Sequence, residues 1–298
     1  MAKSNTPNLT EHFVELIRRA ATILPADMQK SLTEAKKNEE AGSAAEGALD
    51  TILQNVEMAS EHSTPICQDT GTPIFEIYYP LGVSTRALAD QIRQAAAIAT
   101  QKSYLRPNAV DSLTGKNSGD NSGEDFPTMH FHEWDEDGLH VDVLLKGGGC
   151  ENVSTQYKLP DAGLKAGRDL EGVRRVALDA VYQAQGRGCG PAVLGIAVGG
   201  DRGSSYIKAK QQLFRKIGES NENKELDALE KRIKDESNQL GIGPMGFGGN
   251  TTVLDVKIGV QHRLPASYFV SVAYMCWANR RTSMDINFKG EEVEVNYA

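Results

Sequence analysis

Apolar residues recur at helical spacing through the first third of the chain. In Leu9–Leu24 they fall three or four positions apart, and the same spacing returns in Ala44–Ser60. Side chains at that spacing share one face of a helix, so both segments are predicted to be amphipathic helices. Pro25 separates the first from a charged helix that runs through Lys37, and a further amphipathic helix is predicted at Thr85–Lys102.

Later segments mix period-two runs with further helices. Thr128–Leu145 alternates around the turn Asp135–Gly138, which predicts a hairpin with His130, His132 and His140 on its surface. Since helices and strands show no regular βαβ rhythm, we expect an α+β fold with mixed or antiparallel sheets packed with helices. The other predicted helices are Leu170–Gln185, Ser204–Ile217 and Glu225–Leu240; the other predicted strands are a run within Ser63–Pro80, PAVLGIAVGG, Thr251–Gln261, Ser267–Cys276 and a closing hairpin through Asn287–Asn296.

Composition and charge narrow the class of protein. Of 298 residues, 40% are hydrophobic and 24% charged, and the net charge of −8 argues against nucleic acid as a partner. The chain shows no apolar run long enough to span a membrane and no apolar leader at its start, so we expect a cytoplasmic protein. The long polar segment Ser103–Pro127 is expected to be a functional loop.

The four cysteines, Cys67, Cys150, Cys189 and Cys276, are widely spaced, and no C-x-x-C pair occurs. In a reducing compartment metal binding or catalysis is expected before disulfides. A free cysteine is also a common small core residue, and the setting of Cys276 fits that reading. The other three stand beside glycine or proline, which let backbone approach a bulky group. A metal cluster is favoured, and packing stays open.

Several segments together resemble a known family. PICQDTGT, KGGGCEN, CGPAVLGIAVGG and HRLPASYFVSVAYMCWANRR are similar to the class I, iron–sulfur-dependent fumarate hydratases and the related L(+)-tartrate dehydratases. The resemblance extends from about residue 10 to residue 290. It implies a cluster-bearing α subunit, or the equivalent N-terminal domain of a longer protein, with residues 1–298 as a single cluster-binding catalytic domain.

The resemblance implies a [4Fe–4S] cluster held by three thiolates, which map onto Cys67, Cys189 and Cys276. The fourth iron would be open and would act as a Lewis acid on the substrate hydroxyl, as an open metal position does in other hydrolytic sites. Cys150, beside the triple glycine, matches a position that is not a ligand.

Further site residues are implied by motif. Gln68 and Asp69 follow the first ligand and are the expected catalytic residues, although Asp69 also fits a simple Asx turn. Arg106, in SYLRPN, matches an arginine that binds a substrate carboxylate, a task that suits its planar guanidinium. Lys116 and Asn117 in the same loop, together with Gly148 and Gly149, are weaker candidates for substrate binding.

One position departs from the family pattern. Relatives commonly carry a histidine where this chain has Leu264, and His262 lies two residues earlier. Two residues apart on extended chain share a face, so His262 would replace that histidine only with a local shift.

The expected function is a hydro-lyase subunit that reversibly hydrates fumarate to L-malate, a step of the tricarboxylic acid cycle. Fumarate is favoured because YFVSVAYMCWANRR is closer to the fumarase pattern. An L(+)-tartrate dehydratase α subunit and a non-enzymatic iron–sulfur redox or sensing module are the alternatives. A β subunit is expected to supply the remaining catalytic and substrate-binding residues, in a dimer of αβ units.

Overall fold

The computed structural model describes residues 6–289 and 292–298. Helices and two mixed sheets form an α+β fold, which confirms the predicted fold class. The helices are α1 (Thr10–Thr22), α2 (Ala26–Asn38), α3 (Ala44–His62), α4 (Thr85–Gln101), α5 (Gly148–Asn152), α6 (Leu170–Ala184), α7 (Arg202–Gln212) and α8 (Lys224–Asn238). The strands are β1 (Thr72–Pro80), β2 (Thr128–Trp134), β3 (Leu139–Lys146), β4 (Thr155–Lys158), β5 (Ala192–Val198), β6 (Val253–Val260), β7 (Phe269–Met275), β8 (Arg280–Lys289) and β9 (Glu292–Tyr297).

Contacts within the chain divide it into two compact units, each assembled from separate segments. The first comprises Met1–Pro25, Asn55–Gly147 and Arg280–Ala298, and the second comprises Ala26–Gln54 and Gly148–Asn279. That residues 1–298 act as one catalytic domain stays a prediction.

The first unit contains a five-stranded sheet in the order β2-β1-β3-β8-β9. Alternate residues of neighbouring strands, such as Phe75 and Ile77 in β1 and Val141 in β3, are fully buried. They join one apolar core with Phe13 of α1 and Ile92 of α4, because period-two and helical spacing each place their apolar residues on one face. Burial of this shared face holds the sheet to the two helices.

The predicted hairpin at Thr128–Leu145 is wrong in its pairing. Strands β2 and β3 form with the expected turn between them, but β1 lies between the two, parallel to β2 and antiparallel to β3. The residues Ile74–Tyr78 of β1 gain a neighbour on both sides, which suits a strand whose central residues are buried. Local alternation predicts a strand and carries no information on its neighbour. The strands of the closing hairpin, β8 and β9, pair as predicted, and their connection at 290–291 lies outside the described residues.

His132 and His140 of this sheet are partly buried and hydrogen-bonded. His132 Nε2 lies 2.6 Å from Oε2 of Glu76, a carboxylate that is only 3% exposed. His140 contacts two carboxylates, with Nε2 3.2 Å from Asp142 and Nδ1 2.6 Å from Asp285. These side chains form a polar cluster on the sheet face, and they are less exposed than the sequence predicts.

The second unit contains a four-stranded sheet in the order β4-β7-β5-β6. Every residue of β5 is buried, and the strand pairs with β6 in parallel and with β7 in antiparallel orientation. Gly195 in β5 is required by close packing, since a Cβ there would lie 2.2 Å from the carbonyl oxygen of Ala209 in α7. The loops that follow β7 and precede β5 carry two of the four cysteines.

The cluster around His140 predicts a pH-dependent stability. The pKa of His140 is raised from 6.5 to about 9, mainly by its hydrogen bond to Asp142 and also by Asp285, against the opposing effect of burial. A histidine with a raised folded-state pKa stabilises the fold fully below its unfolded pKa, and this contribution is lost as the pH rises through the folded value. We therefore expect His140→Gln to destabilise the protein more at about pH 6 than at about pH 10.

Chemical denaturation at the two pH values measures this difference. His62→Gln, at the exposed end of α3, is the control and is expected to show no such trend. A stability loss in His140→Gln that is the same at both pH values would contradict the assigned ion pairs.

Candidate functional site

The first group of predicted site residues lies in the turn between α3 and β1. Cys67 and Asp69 are partly buried there, and Gln68 is exposed. Asp69 Oδ1 accepts a hydrogen bond of 3.1 Å from the backbone N–H of Gly71, so the local Asx turn is present. Gly71 has φ +77°, and a Cβ there would lie 2.6 Å from the carbonyl carbon of Lys146. Only glycine permits this approach of the turn to the end of β3.

The carboxylate of Asp69 lies against Gly147, the first residue of the triple glycine. A Cβ on Gly147 would lie 2.9 Å from Asp69 Oδ2 and 3.8 Å from Nη2 of Arg280. Arg280 is 1% exposed, and Nη2 contacts the carbonyl of Leu145 at 3.4 Å. Among the described residues, none hydrogen-bonds its buried Nε and Nη1. A buried guanidinium with open donors beside a carboxylate turn suits a site that receives an anion.

Arg280 and Lys146 were not identified from the sequence. Lys146 ends β3 and is only 2% exposed, and Arg280 begins β8. The available signal was that both are basic residues inside family-like segments, Lys146 in KGGGCEN and Arg280 in HRLPASYFVSVAYMCWANRR. Buried charges are rare without a partner or a function.

Arg106 is brought beside the turn. Its backbone N–H donates to Thr70 Oγ1 at 3.0 Å, and Nη1 lies 3.4 Å from the carbonyl oxygen of Gln68. The side chain is exposed and therefore accessible to a ligand. Asn117 Nδ2 donates to the carbonyl of Pro107 at 2.9 Å, which ties it to the segment next to Arg106. Lys116 is exposed in the same loop.

The second unit brings Cys189 and Cys276 together. The carbonyl oxygen of Cys189 accepts a hydrogen bond of 3.1 Å from the backbone N–H of Trp277. Cys189 has left-handed backbone angles, φ 53° and ψ 56°, which cost energy for a residue with a side chain. Both thiols are partly buried. Strained backbone of this kind is concentrated at functional sites.

The ring of Tyr274 lies beneath these cysteines. A Cβ on Gly188 would lie 2.3 Å from the ring, and one on Gly190 would lie 3.4 Å from the hydroxyl. Burial raises the pKa of Tyr274 far above its usual range, and the nearby Cys276, Cys150 and Cys189 add to the effect. A buried phenolate is disfavoured because it loses its hydration, and thiolate charge nearby disfavours it further.

Cys150 differs from the other three cysteines. It is 3% exposed, and its Sγ lies 3.8 Å from Sδ of Met275, so it packs as a buried thiol. It lies in α5, which begins with the exposed Gly148 and Gly149. Cys67, Cys189 and Cys276 are all more exposed.

The thiols of Cys67, Cys189 and Cys276 are chemically suitable ligands for an iron–sulfur centre. Soft thiolates are the ligands that such clusters use, and the partly exposed cysteines are the three in the family motifs. Within residues 6–289 and 292–298, no group of three or more His, Cys, Asp or Glu side chains is arranged to hold a metal ion. The orphaned donors of Arg280 add a second feature that suits an anionic group.

Leu264, the position where the family resemblance implies a histidine, lies between β6 and β7. Leu264 is 72% exposed, and His262 is also exposed. Replacement of that histidine by His262 stays a prediction.

Comparison with known proteins identifies the family. The sequence model described as fumarate hydratase (fumerase) matches residues 10–285. The chain belongs to the fumarate hydratase family. A protein of Geobacillus stearothermophilus named as a class I fumarate hydratase is 50% identical over 282 residues, which are 94% of this chain and 55% of that protein. This chain of the fumarate hydratase family thus spans about half the length of that relative.

Two other relatives match this chain along most of their length. A protein of Methanocaldococcus jannaschii named as an L(+)-tartrate dehydratase subunit alpha is 36% identical, over 92% of this chain and 95% of its own. The Escherichia coli (strain K12) protein named as L(+)-tartrate dehydratase subunit alpha is 28% identical, over 95% of this chain and 94% of its own. The fumarate hydratase family therefore includes relatives named for two reactions.

Among the described residues, no helix combines the length and the apolar character that crossing a membrane requires.

The close approach at Gly71 predicts a specific sensitivity. Gly82 also has a positive φ, +89°, but a Cβ there would meet open space. Gly82→Ala should lower the free energy of unfolding by about 1 kcal/mol through backbone strain alone. Gly71→Ala should lose about 1–3 kcal/mol more, because its Cβ also collides with the backbone at Lys146. Urea denaturation of both variants measures the difference, and equal losses would contradict the close approach.

Proposed function

We propose that this chain is the cluster-bearing α subunit of a hydro-lyase that reversibly hydrates fumarate to L-malate. The observation that carries the proposal is the 50% identity, over 94% of the chain, to a protein named as a class I fumarate hydratase. The exposed Arg106 beside the Cys67–Asp69 turn agrees with an enzyme that binds a small dicarboxylate. The single catalytic domain over residues 1–298 is part of this proposal.

The proposed cofactor is a [4Fe–4S] cluster held by Cys67, Cys189 and Cys276. When bound, such a cluster supplies an open iron that acts as a Lewis acid on the hydroxyl group. The proposal is supported by the family motifs around the three cysteines and by their greater exposure compared with the buried Cys150. Cys150 is proposed to be a packing residue.

The roles proposed for the other residues follow from charge and position. The guanidinium of Arg106 binds one substrate carboxylate by charge-assisted hydrogen bonds. Malate dehydration must remove a proton from carbon, and Asp69 belongs to the group of residues that hold or pass that proton, with Gln68 beside it. The buried charge of Arg280, on the same side of Gly147 as the Asp69 carboxylate, favours an anion at this end of the site.

The glycines and the loop have secondary roles in the proposal. Gly148 and Gly149 are exposed and carry no side chain, so a substrate can approach their backbone closely. Lys116 and Asn117 are proposed as weaker contributors to substrate binding. Support comes from the loop that they share with Arg106, where a positive charge would attract a dicarboxylate.

A second enzymatic candidate is the α subunit of an L(+)-tartrate dehydratase. It is supported by two relatives of that name that match this chain along about their whole length. The higher identity of the relative named as a fumarate hydratase favours fumarate.

A redox or sensing module is the remaining alternative. An electron-transfer cluster normally has protein ligands on all of its irons, which would require a fourth thiolate. The burial of Cys150 against Met275 argues against that alternative.

A β subunit is proposed to complete the enzyme, in a dimer of αβ units located in the cytoplasm. The proposal is supported by relatives named as alpha subunits and by the longer relative, of which 45% lies beyond the matched part.

Serine substitutions test the ligand assignment. Cys67→Ser, Cys189→Ser and Cys276→Ser are each expected to lose most of the bound iron and sulfide, because a hydroxyl is a poor ligand for this centre. Cys150→Ser is the matched control and should retain both. Iron and sulfide analysis, with visible absorbance after anaerobic reconstitution, gives the measurement. Cluster loss in Cys150→Ser would favour four-thiolate ligation, and full retention in the other three variants would refute the assignment.

The partner requirement and the substrate are tested in one assay. The reconstituted chain alone is expected to be inactive toward fumarate, mesaconate and L(+)-tartrate, because the missing residues come from the β subunit. Addition of the β subunit should give activity with the highest kcat/KM for fumarate. Full turnover by the chain alone would refute the need for a partner, and a higher kcat/KM for tartrate would select the second candidate.

A further inference from the structure

The base of the long loop that carries Arg106 is fixed to the cysteine turn by one buried hydroxyl. Thr70 is fully buried, and its Oγ1 accepts hydrogen bonds of 3.0 Å from both the backbone N–H of Arg106 and Nδ2 of Asn108. Asn108 Nδ2 also lies 3.2 Å from the carbonyl oxygen of Gly71. The turn and the start of the loop are therefore joined by side-chain hydrogen bonds.

A second buried amide closes the loop on itself. Asn121 is 1% exposed; its Oδ1 accepts from the backbone N–H of Asn108 at 2.7 Å, and its Nδ2 donates to the carbonyl of Arg106 at 2.7 Å. The same Nδ2 reaches Oγ1 of Thr100 in α4 at 2.8 Å. Asn121 has φ +59°, a conformation that asparagine tolerates better than most residues. Helix α4, the loop and the turn are thus tied together.

These bonds fix the backbone of Arg106 from both sides. Its N–H is held by Thr70 and its carbonyl by Asn121, whereas its side chain is exposed. A hydrogen-bonded network built on buried side chains is rigid, and loss of one partner leaves a buried group without its hydrogen bond. The network therefore fixes the backbone from which one exposed guanidinium extends.

We propose that Thr70, Asn108 and Asn121 are positioning residues that hold Arg106 at a fixed distance from the turn containing Gln68 and Asp69. The inference rests on the proposed function, in which Arg106 binds a substrate carboxylate. An arginine that is already held in its binding position loses little conformational entropy when the substrate binds. A shift of about 1 Å in a binding group is enough to lower the reaction rate strongly.

Two substitutions at one position make the central test. Thr70→Val keeps the shape of the side chain and removes the acceptor, whereas Thr70→Ser keeps the hydroxyl. In the reconstituted holoenzyme, Thr70→Val should raise the KM for fumarate about tenfold with a smaller change in kcat, and Thr70→Ser should stay within about twofold of wild type. The Kd of succinate, a dicarboxylate that cannot react, should rise in parallel with KM.

Asn108→Ala provides an independent variant, since it removes the second donor to Thr70, together with the contact to the Gly71 carbonyl, and leaves the Thr70 hydroxyl in place. It should also raise KM and the Kd of succinate, by about three- to tenfold. Ser118→Ala is the control, because it removes a hydrogen bond from the backbone N–H of Asp120 in the same exposed loop and touches none of the three residues. Values are normalised to bound iron, so that cluster loss is separated from misplacement.

Arg106→Lys separates the two proposals. If it raises KM and the Kd of succinate while Thr70→Val and Asn108→Ala leave both unchanged, the positioning role is refuted and the role of Arg106 stands. If Arg106→Lys changes neither value, the carboxylate role itself fails. A fall in melting temperature of Thr70→Val or Asn108→Ala, with wild-type KM and Kd per bound iron, would mark a structural role only and would overturn the inference.

Discussion

The contact of Gly71 with the backbone of Lys146 and Gly147 is the constraint on which the site of the first unit depends. It brings the end of the cysteine turn against the end of β3, where the triple glycine begins. The carboxylate of Asp69 is then held over Gly147, beside the buried Arg280. A side chain at position 71 or 147 would separate these groups. Two glycines thus perform a task that no larger residue could perform in the same space.

In the second unit, glycines likewise permit a close approach, here of the backbone to an aromatic ring. Gly188 and Gly190 flank Cys189 and allow the chain to lie directly on Tyr274. The left-handed conformation of Cys189 and its hydrogen bond from Trp277 then set the direction of the thiol relative to Cys276. Rigid support beneath a reactive group is expected where geometry matters more than stability. Glycine was a useful signal beside Cys189, because it indicated this close packing before any contact was known.

The sequence predicted most of the elements and less of their arrangement. Helices α1, α3 and α4 follow from apolar spacing, and the α+β class follows from the mixture of elements. The pairing of β1 between β2 and β3 could not be predicted, because strand order depends on contacts distant in the sequence.

The motif residues around Cys67 and the loop at Arg106 were predicted, and the structure brings those two segments together. The supporting residues Thr70, Asn108 and Asn121 were missed, since an ordinary polar residue in a turn or loop has no pattern that distinguishes it from solvent-exposed neighbours.

The sheet of the first unit has a consequence for how the protein is made. Strand β3 pairs on one side with β1, from the first third of the chain, and on the other with β8, which begins at Arg280. During synthesis β3 therefore lacks one neighbour until β8 has left the ribosome, and an exposed strand edge is prone to aggregation. Arg280 itself arrives with β8, so the arrangement of Asp69, Gly147 and Arg280 is complete only after that strand has been made. Binding of any anionic group that relies on Arg280 would have to follow the synthesis of β8.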